Sequence, residues 1–152
     1  MRVWRVCRRL HKAFDGEGAR LSGGRWNLRG TPVVYTSATL SLAAFEYFVN
    51  VDPDDAPSDL VAVPAEIPED LKVSKVVLAR LPTNWRAAPA PRALERLGSA
   101  WVRRRETAVL AVPSAVIPQE HNYLLNPLHP LFPRIRIDTA QPFAFDPRMW
   151  KG

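Results

Sequence analysis

The sequence predicts a single compact α+β domain with a mixed β core, spanning residues 1–152. At 47% hydrophobic residues the chain is long enough for one core, whereas either half alone would struggle to bury one. Its apolar residues fall mostly in short blocks of strand length, interrupted by two stretches with helical spacing. Fifteen prolines shorten the elements that fit between them and leave loops to shape any site. Neither an internal repeat nor a linker divides the chain.

Val3 to Cys7 reads as a first strand, followed by a basic stretch to Lys12 and a glycine-containing loop, Asp15 to Gly24, without apolar period. Pro32 to Thr36 is β-branched and aromatic, a strand, after which Thr36 and Ser37 are placed to cap a helix from about Thr39 to Asn50. Asp52 to Ser58 is turn-rich, and Leu60 to Val63 resumes a strand that should end near Pro64. A strand or pair follows through Val73 to Leu78, then an irregular segment from Leu81 to Arg86. Pro91 opens a second helix whose buried stripe is Leu94, Leu97, Trp101 and Val102, with Arg96, Arg103 and Arg104 outward. Ala108 to Val112 is apolar on both alternating faces, an interior strand closed by Pro113-Ser114. Ile135 and Ile137 alternate with arginines in a late edge strand, and the tail from Pro142 to Trp150 offers aromatics to pack back onto the body.

Several function classes are disfavoured at once. No block approaches the roughly 18 uninterrupted apolar residues of a membrane-spanning helix. The N-terminal residues alternate charge with apolar side chains rather than forming a secretory signal, so the expectation is a cytoplasmic protein without membrane contact. The single cysteine, Cys7, has no disulfide partner, and no His/Cys spacing suits a metal, so Cys7 reads as a small core residue and no metal site is expected. The net charge of +6 points to anionic partners without choosing among nucleic acid, phosphorylated metabolites and acidic protein.

Three places carry potential chemistry. Glu46 is the one carboxylate between Thr36 and Val51, a segment otherwise apolar or small. Such a group needs a partner to offset its desolvation, either a structural arginine or a catalytic setting. Second, in Ser22-Gly23-Gly24-Arg25-Trp26-Asn27 two glycines allow close backbone approach to a ligand, immediately before a guanidinium suited to phosphate. The same run also fits a tight turn whose Arg25 pairs with Glu46. Third, Ser114 ends a buried strand, but no G-x-S-x-G elbow surrounds it, and His11, His121 and His129 lie in no triad pattern. Ser114 therefore reads as a hydrogen-bond partner, not a nucleophile.

Gly23 to Asn27, then Pro32-Val33-Val34-Tyr35-Thr36-Ser37, the helix carrying Glu46, Val112-Pro113-Ser114, and Glu120-His121-Asn122 through Pro130 together resemble the RES domain, a family named after an Arg, a Glu and a Ser. The resemblance runs from Trp4-Arg5 to Asp146-Pro147-Arg148, with no clear departure at the key positions. It implies a fold related to ADP-ribosyltransferase toxins. It also implies NAD⁺ as a consumed substrate with no resident cofactor, and a type II toxin–antitoxin operon with an Xre-type antitoxin carrying a helix-turn-helix region. A higher-order toxin–antitoxin complex is expected with it. Carried over by position, Arg25, Tyr35, Glu46 and Ser114 match the family's catalytic residues, and Gly24, Arg25, Trp26, Asn27, Tyr35 and Asn122 are expected at the substrate.

The expected reaction is cleavage of the nicotinamide–ribose bond by hydrolysis or phosphorolysis, with protein ADP-ribosylation as the alternative at the same site. Two rivals use the positive charge. A nucleic-acid-binding module would rest on Arg8-Arg9, Arg103-Arg104-Arg105 and Arg134/Arg136, which share no helix-turn-helix, zinc or stacking signature. A ribonuclease-like toxin would need paired histidines, which the spacing does not supply. Direct nucleic-acid binding is therefore not expected.

Overall fold

The computed structural model describes residues 1–150, and the chain forms a curled eight-stranded sheet. The strands are β1 (Arg2–Arg8), β2 (Val34–Ser37), β3 (Leu60–Glu66), β4 (Val73–Lys75), β5 (Val109–Pro113), β6 (His121–Leu125), β7 (Arg136–Ile137) and β8 (Gln141–Pro142). Their order is β4-β5-β6-β2-β1-β3-β7, with β8 also on β3. Only β4 and β5 run parallel and every other pairing is antiparallel, so the sheet is mixed as expected. The helices are α1 (Glu17–Ser22), α2 (Leu40–Phe48) and α3 (Arg92–Arg104).

Alternation along the strands builds two cores. Val3, Cys7, Val34, Val61, Val63, Val109 and Leu125 fill one face. Trp26, Val33, Leu94, Trp101, Leu110, Val112 and Leu124 fill the other, where α3 lies. Cys7 is a core residue, and burial pushes its thiol above the ordinary range, as befits an inert side chain. On α3, Leu94, Trp101 and Val102 are buried and Leu97 packs against the same cluster, while Arg96, Arg103 and Arg104 face solvent. Each buried large side chain of this stripe contributes about 1.5–3 kcal/mol.

Four expectations change. The Asp15–Gly24 loop contains α1, which shows no apolar period because none of its residues is buried; Arg20 and Glu17 brace it with an i,i+3 ion pair. Thr36 and Ser37 belong to β2 and do not cap α2; that role falls to Thr39, whose side chain accepts from the Leu42 N–H at 3.1 Å. β3 continues through Pro64 to Glu66. The Pro64 carbonyl faces the β7 side, where it accepts from the Asp138 N–H. The missing proline N–H therefore falls in the gap between β8 and β7 and interrupts no ladder. Finally, His121–Leu125 is a full central strand, whereas the sequence reading used it only as a motif.

The tail does pack back. Phe145 lies against Tyr47 and Phe48 at the end of α2, and the Trp150 ring sits 4.7 Å from that of Phe48. Aromatic contacts of this kind hold the C-terminal end of the Glu46 helix to the body.

Among the glycines, Gly98 on α3 is the one most closely approached by another backbone, that of the segment after the double glycine. A Cβ on Gly98 would stand 1.8 Å from the Trp26 carbonyl oxygen, a backbone atom that cannot swing aside. Next to it, Ser99 Oγ accepts from the Leu28 N–H at 2.9 Å. Gly98→Ala should therefore lower unfolding stability by about 3 kcal/mol or more, read as a lower midpoint in urea, whereas Ala93→Ser on the exposed side of α3 should change it little.

Candidate active site

Glu46 projects from α2 toward the ends of β5 and β6. Its Oε1 accepts a hydrogen bond from Ser114 Oγ at 2.6 Å and another from Asn122 Nδ2 at 2.8 Å. Both donors are fixed in turn. Ser114 is fully buried, and its hydroxyl oxygen accepts from the N–H groups of Val116 (3.1 Å) and Ile117 (3.0 Å) in the turn after β5. That leaves its proton for the carboxylate. Asn122 is oriented by Ser37, whose Oγ donates to Asn122 Oδ1 at 2.7 Å. An amide whose oxygen is occupied on one side must present its NH₂ on the other. Among the described residues nothing bonds Glu46 Oε2, so one carboxylate oxygen is anchored and the other remains open.

Ser37 is the residue the sequence reading missed. It faces Asn122 directly across the β2–β6 ladder, so both side chains lie on one face of the sheet. The available signal was its place two residues after Tyr35, on the same face of one strand; the competing reading as a helix cap obscured it.

The Gly-Gly-Arg loop forms a second, separate network. Tyr35 OH donates to Asn27 Oδ1 at 2.6 Å and accepts from the Trp26 N–H at 3.0 Å. Asn27, wholly buried, spends its NH₂ on the carbonyls of Ala19, Leu28 and Thr31. Gly24 is glycine because a Cβ there would stand 2.7 Å from the Tyr35 hydroxyl. The close approach predicted for Gly24 is thus made by Tyr35. Burial raises the Tyr35 phenol well above its ordinary range, so it stays a neutral hydrogen-bonding group. Trp26 places its side chain in the core, only 2% exposed. Trp26 and Asn27 therefore shape the loop, while Tyr35 and Arg25 stand on the Glu46 side of the sheet.

Arg25 does not pair with Glu46. Its Nη1 donates to the backbone carbonyls of Trp85 and Ala87, each at 2.9 Å, and no ion pair joins it to a carboxylate among the described residues. Partial burial lowers its pKa from the ordinary value, opposed by the negative charge of Glu46 and by Tyr35. The turn-plus-ion-pair alternative is thereby removed: the partners of Glu46 are a serine and an asparagine. A cleft of about 420 Å³ opens beside this loop, lined by Ser22, Gly23, Gly24, Asn27, Arg29 and Arg92 among others, but it contains neither Glu46 nor Ser114. Among the described residues no His/Cys/Asp/Glu group could hold a metal ion, and no helix is long and apolar enough to cross a membrane.

An anchored carboxylate with one free oxygen, beside a guanidinium whose charge is not cancelled, is suited to a substrate that carries anionic groups and develops positive charge at a nearby centre. Ser37→Ala should free the Asn122 amide to turn and should lower turnover roughly tenfold, about the effect of one misdirected hydrogen bond to a charged group. Unchanged melting and near-normal substrate affinity should accompany that loss, and Ser37→Thr should recover part of it.

The RES domain family profile matches residues 2–146. A protein of Sphingobium sp. (strain YBL2) described as a Prs ADP-ribosylating toxin is 36% identical, over 96% of this chain and 94% of its own length. The Toxin Res of Yersinia enterocolitica serotype O:8 / biotype 1B is also 36% identical, over 98% and 99%. That of Pseudomonas putida is 32% identical, over 99% and 100%. Among solved structures, a chain of the M. tuberculosis MbcT–MbcA toxin–antitoxin complex superposes with a TM-score of 0.73, covering 93% of this chain and 83% of that one, at 16% identity, and so shares the fold. With a matching profile over almost its whole length and end-to-end relatives at 36% identity, this chain belongs to the RES domain family.

Proposed function

We propose that the protein is the toxin of a toxin–antitoxin pair and that it consumes NAD⁺ by breaking the nicotinamide–ribose bond. The observation that carries this reading is the Glu46 carboxylate, locked through Oε1 by Ser114 and Asn122 with Oε2 left open. The names of the relatives, Toxin Res and Prs ADP-ribosylating toxin, support the toxin assignment and an ADP-ribosyl chemistry.

In this mechanism the C–N bond breaks with its electron pair leaving on nicotinamide, which departs neutral. Positive charge then develops on the ribose, as in other glycosidic cleavages. Glu46 Oε2 stabilises that charge and orients a ribose hydroxyl or the incoming nucleophile. Because Oε1 is held by two donors, the carboxylate is preorganised and need not turn as the charge appears. Arg25 contacts the phosphates or ribose through donors not spent on Trp85 and Ala87, and the Tyr35 ring offers a face for nicotinamide. NAD⁺ is substrate here, with no resident cofactor and no metal.

Water, phosphate and a protein side chain are all competent to attack the same cationic carbon, giving hydrolysis, phosphorolysis or protein ADP-ribosylation. The last is a second reading, favoured by the description of the Sphingobium relative. The proposed partner is a cognate Xre-type antitoxin with a helix-turn-helix region, in a higher-order complex that covers the Arg25 and Glu46 side of the sheet.

Incubating purified protein with NAD⁺, with and without phosphate, should give nicotinamide plus ADP-ribose or its phosphorylated counterpart by mass spectrometry. Glu46→Gln, which keeps the shape but removes the charge, should cut the rate roughly 100-fold or more. Stable NAD⁺ in both buffers, together with no transfer of labelled ADP-ribose to protein, would refute the reading.

A further inference from the structure

Several arginines of this chain pair with carboxylates. Arg2 meets Glu66 and Asp138, Arg8 meets Asp59, and Arg134 meets Asp70, for example. A guanidinium so neutralised has little attraction left for an anionic ligand. Arg86 is different. Its Nε donates to the Ala115 carbonyl at 2.9 Å, no ion pair engages it, and its two terminal nitrogens have no partner among the described residues. A backbone carbonyl aims the fork without cancelling its charge.

The placement of Arg86 gives that free charge a meaning. Trp85 and Ala87, on either side of it, are the residues whose carbonyls hold Arg25. Ala115, which holds Arg86, directly follows Ser114, the serine that anchors Glu46. One short segment therefore grips the Arg25 guanidinium from behind and sends a second guanidinium across to the turn that carries the glutamate's anchor. Arg5 is also tethered to a carbonyl, that of Ala13, but it lies over Phe14 on the opposite face of the sheet.

We infer that Arg86 is a ligand for phosphoryl oxygens at the rim of the Glu46 site, acting with Arg25. This deepens the NAD⁺ reading and rests on it. Terminal guanidinium nitrogens form two parallel bonds to a phosphoryl group, geometry that a lysine does not reproduce. Two sources supply such a group: the pyrophosphate of the dinucleotide, or free inorganic phosphate serving as acceptor. In the second case a phosphate oxygen donates the electron pair of the new C–O bond while nicotinamide leaves with that of the broken C–N bond. No oxidant or reductant is required.

The test compares wild type with Arg86→Ala and Arg86→Lys, after confirming that all three melt alike, as expected for an exposed side chain making one hydrogen bond. ADP-ribose and inorganic phosphate are titrated separately by calorimetry, and NAD⁺ loss is followed with and without phosphate. Weakening of ADP-ribose binding by roughly tenfold or more in Arg86→Ala, partly restored in Arg86→Lys, with phosphate stimulation retained, assigns Arg86 to the pyrophosphate. Intact ADP-ribose binding with loss of phosphate binding and of phosphate stimulation assigns it to the acceptor. Wild-type binding of both ligands by Arg86→Ala, or no binding of either by wild type, overturns the inference. If wild type neither consumes NAD⁺ nor transfers labelled ADP-ribose to protein, the function reading fails, and the two titrations still decide the role of Arg86.

Discussion

The carboxylate of Glu46 is where the parts of this fold meet, because the two hydrogen bonds on its Oε1 come from different strands and the residue itself from a helix. Ser114 directly follows β5, Asn122 is the second residue of β6, and Ser37 on β2 sets the amide of Asn122. The order β5-β6-β2 places these three at neighbouring strand ends, and α2, which begins only three residues after Ser37, returns Glu46 over them. Each donor also accepts hydrogen bonds that fix its orientation, so the arrangement has little freedom to relax. A carboxylate held this way is preorganised, with no turn needed to face positive charge.

The second dependency is the Gly24–Tyr35–Asn27 cluster. Its bonds are neutral and complete, which stiffens the loop. Gly98 on α3 lets that loop settle against the helix, and Trp26 plugs it into the core. Arg25 thus leaves a rigid base, and the carbonyls of Trp85 and Ala87 aim it. Throughout, the positive groups of the site are oriented by carbonyls and its negative group by neutral donors. That keeps both charges active, where a direct Arg25–Glu46 bridge would have cancelled them.

What was legible in the sequence follows from burial. β1, β5 and α3 carry apolar periods long enough to identify, and Glu46 stood out because charge is costly on an otherwise apolar helix. The Arg25, Glu46 and Ser114 positions came from motif resemblance as much as from physics. α1 was invisible because it buries nothing, and β6 because His121-Asn122-Tyr123 lacks the apolar alternation that marks a strand. The helix cap was misplaced because Thr36, Ser37 and Thr39 are equally good caps in isolation, and only the pairing of β2 with β6 shows that two of them are occupied elsewhere. Arg86 lay in a segment of no regular structure, where nothing local says which carbonyl a guanidinium will find.

The strand order has a consequence for how the activity comes into being. Because β6 is inserted between β5 and β2, the contacts at Glu46 join residues 68 and 76 positions apart along the chain. Contacts of such long range form late in folding, after the cost of closing the intervening loops has been met. A growing chain carries Arg25, Tyr35 and Glu46 early in its synthesis, yet the carboxylate has its full pair of donors only once the segment His121–Leu125 has emerged and slotted into the sheet.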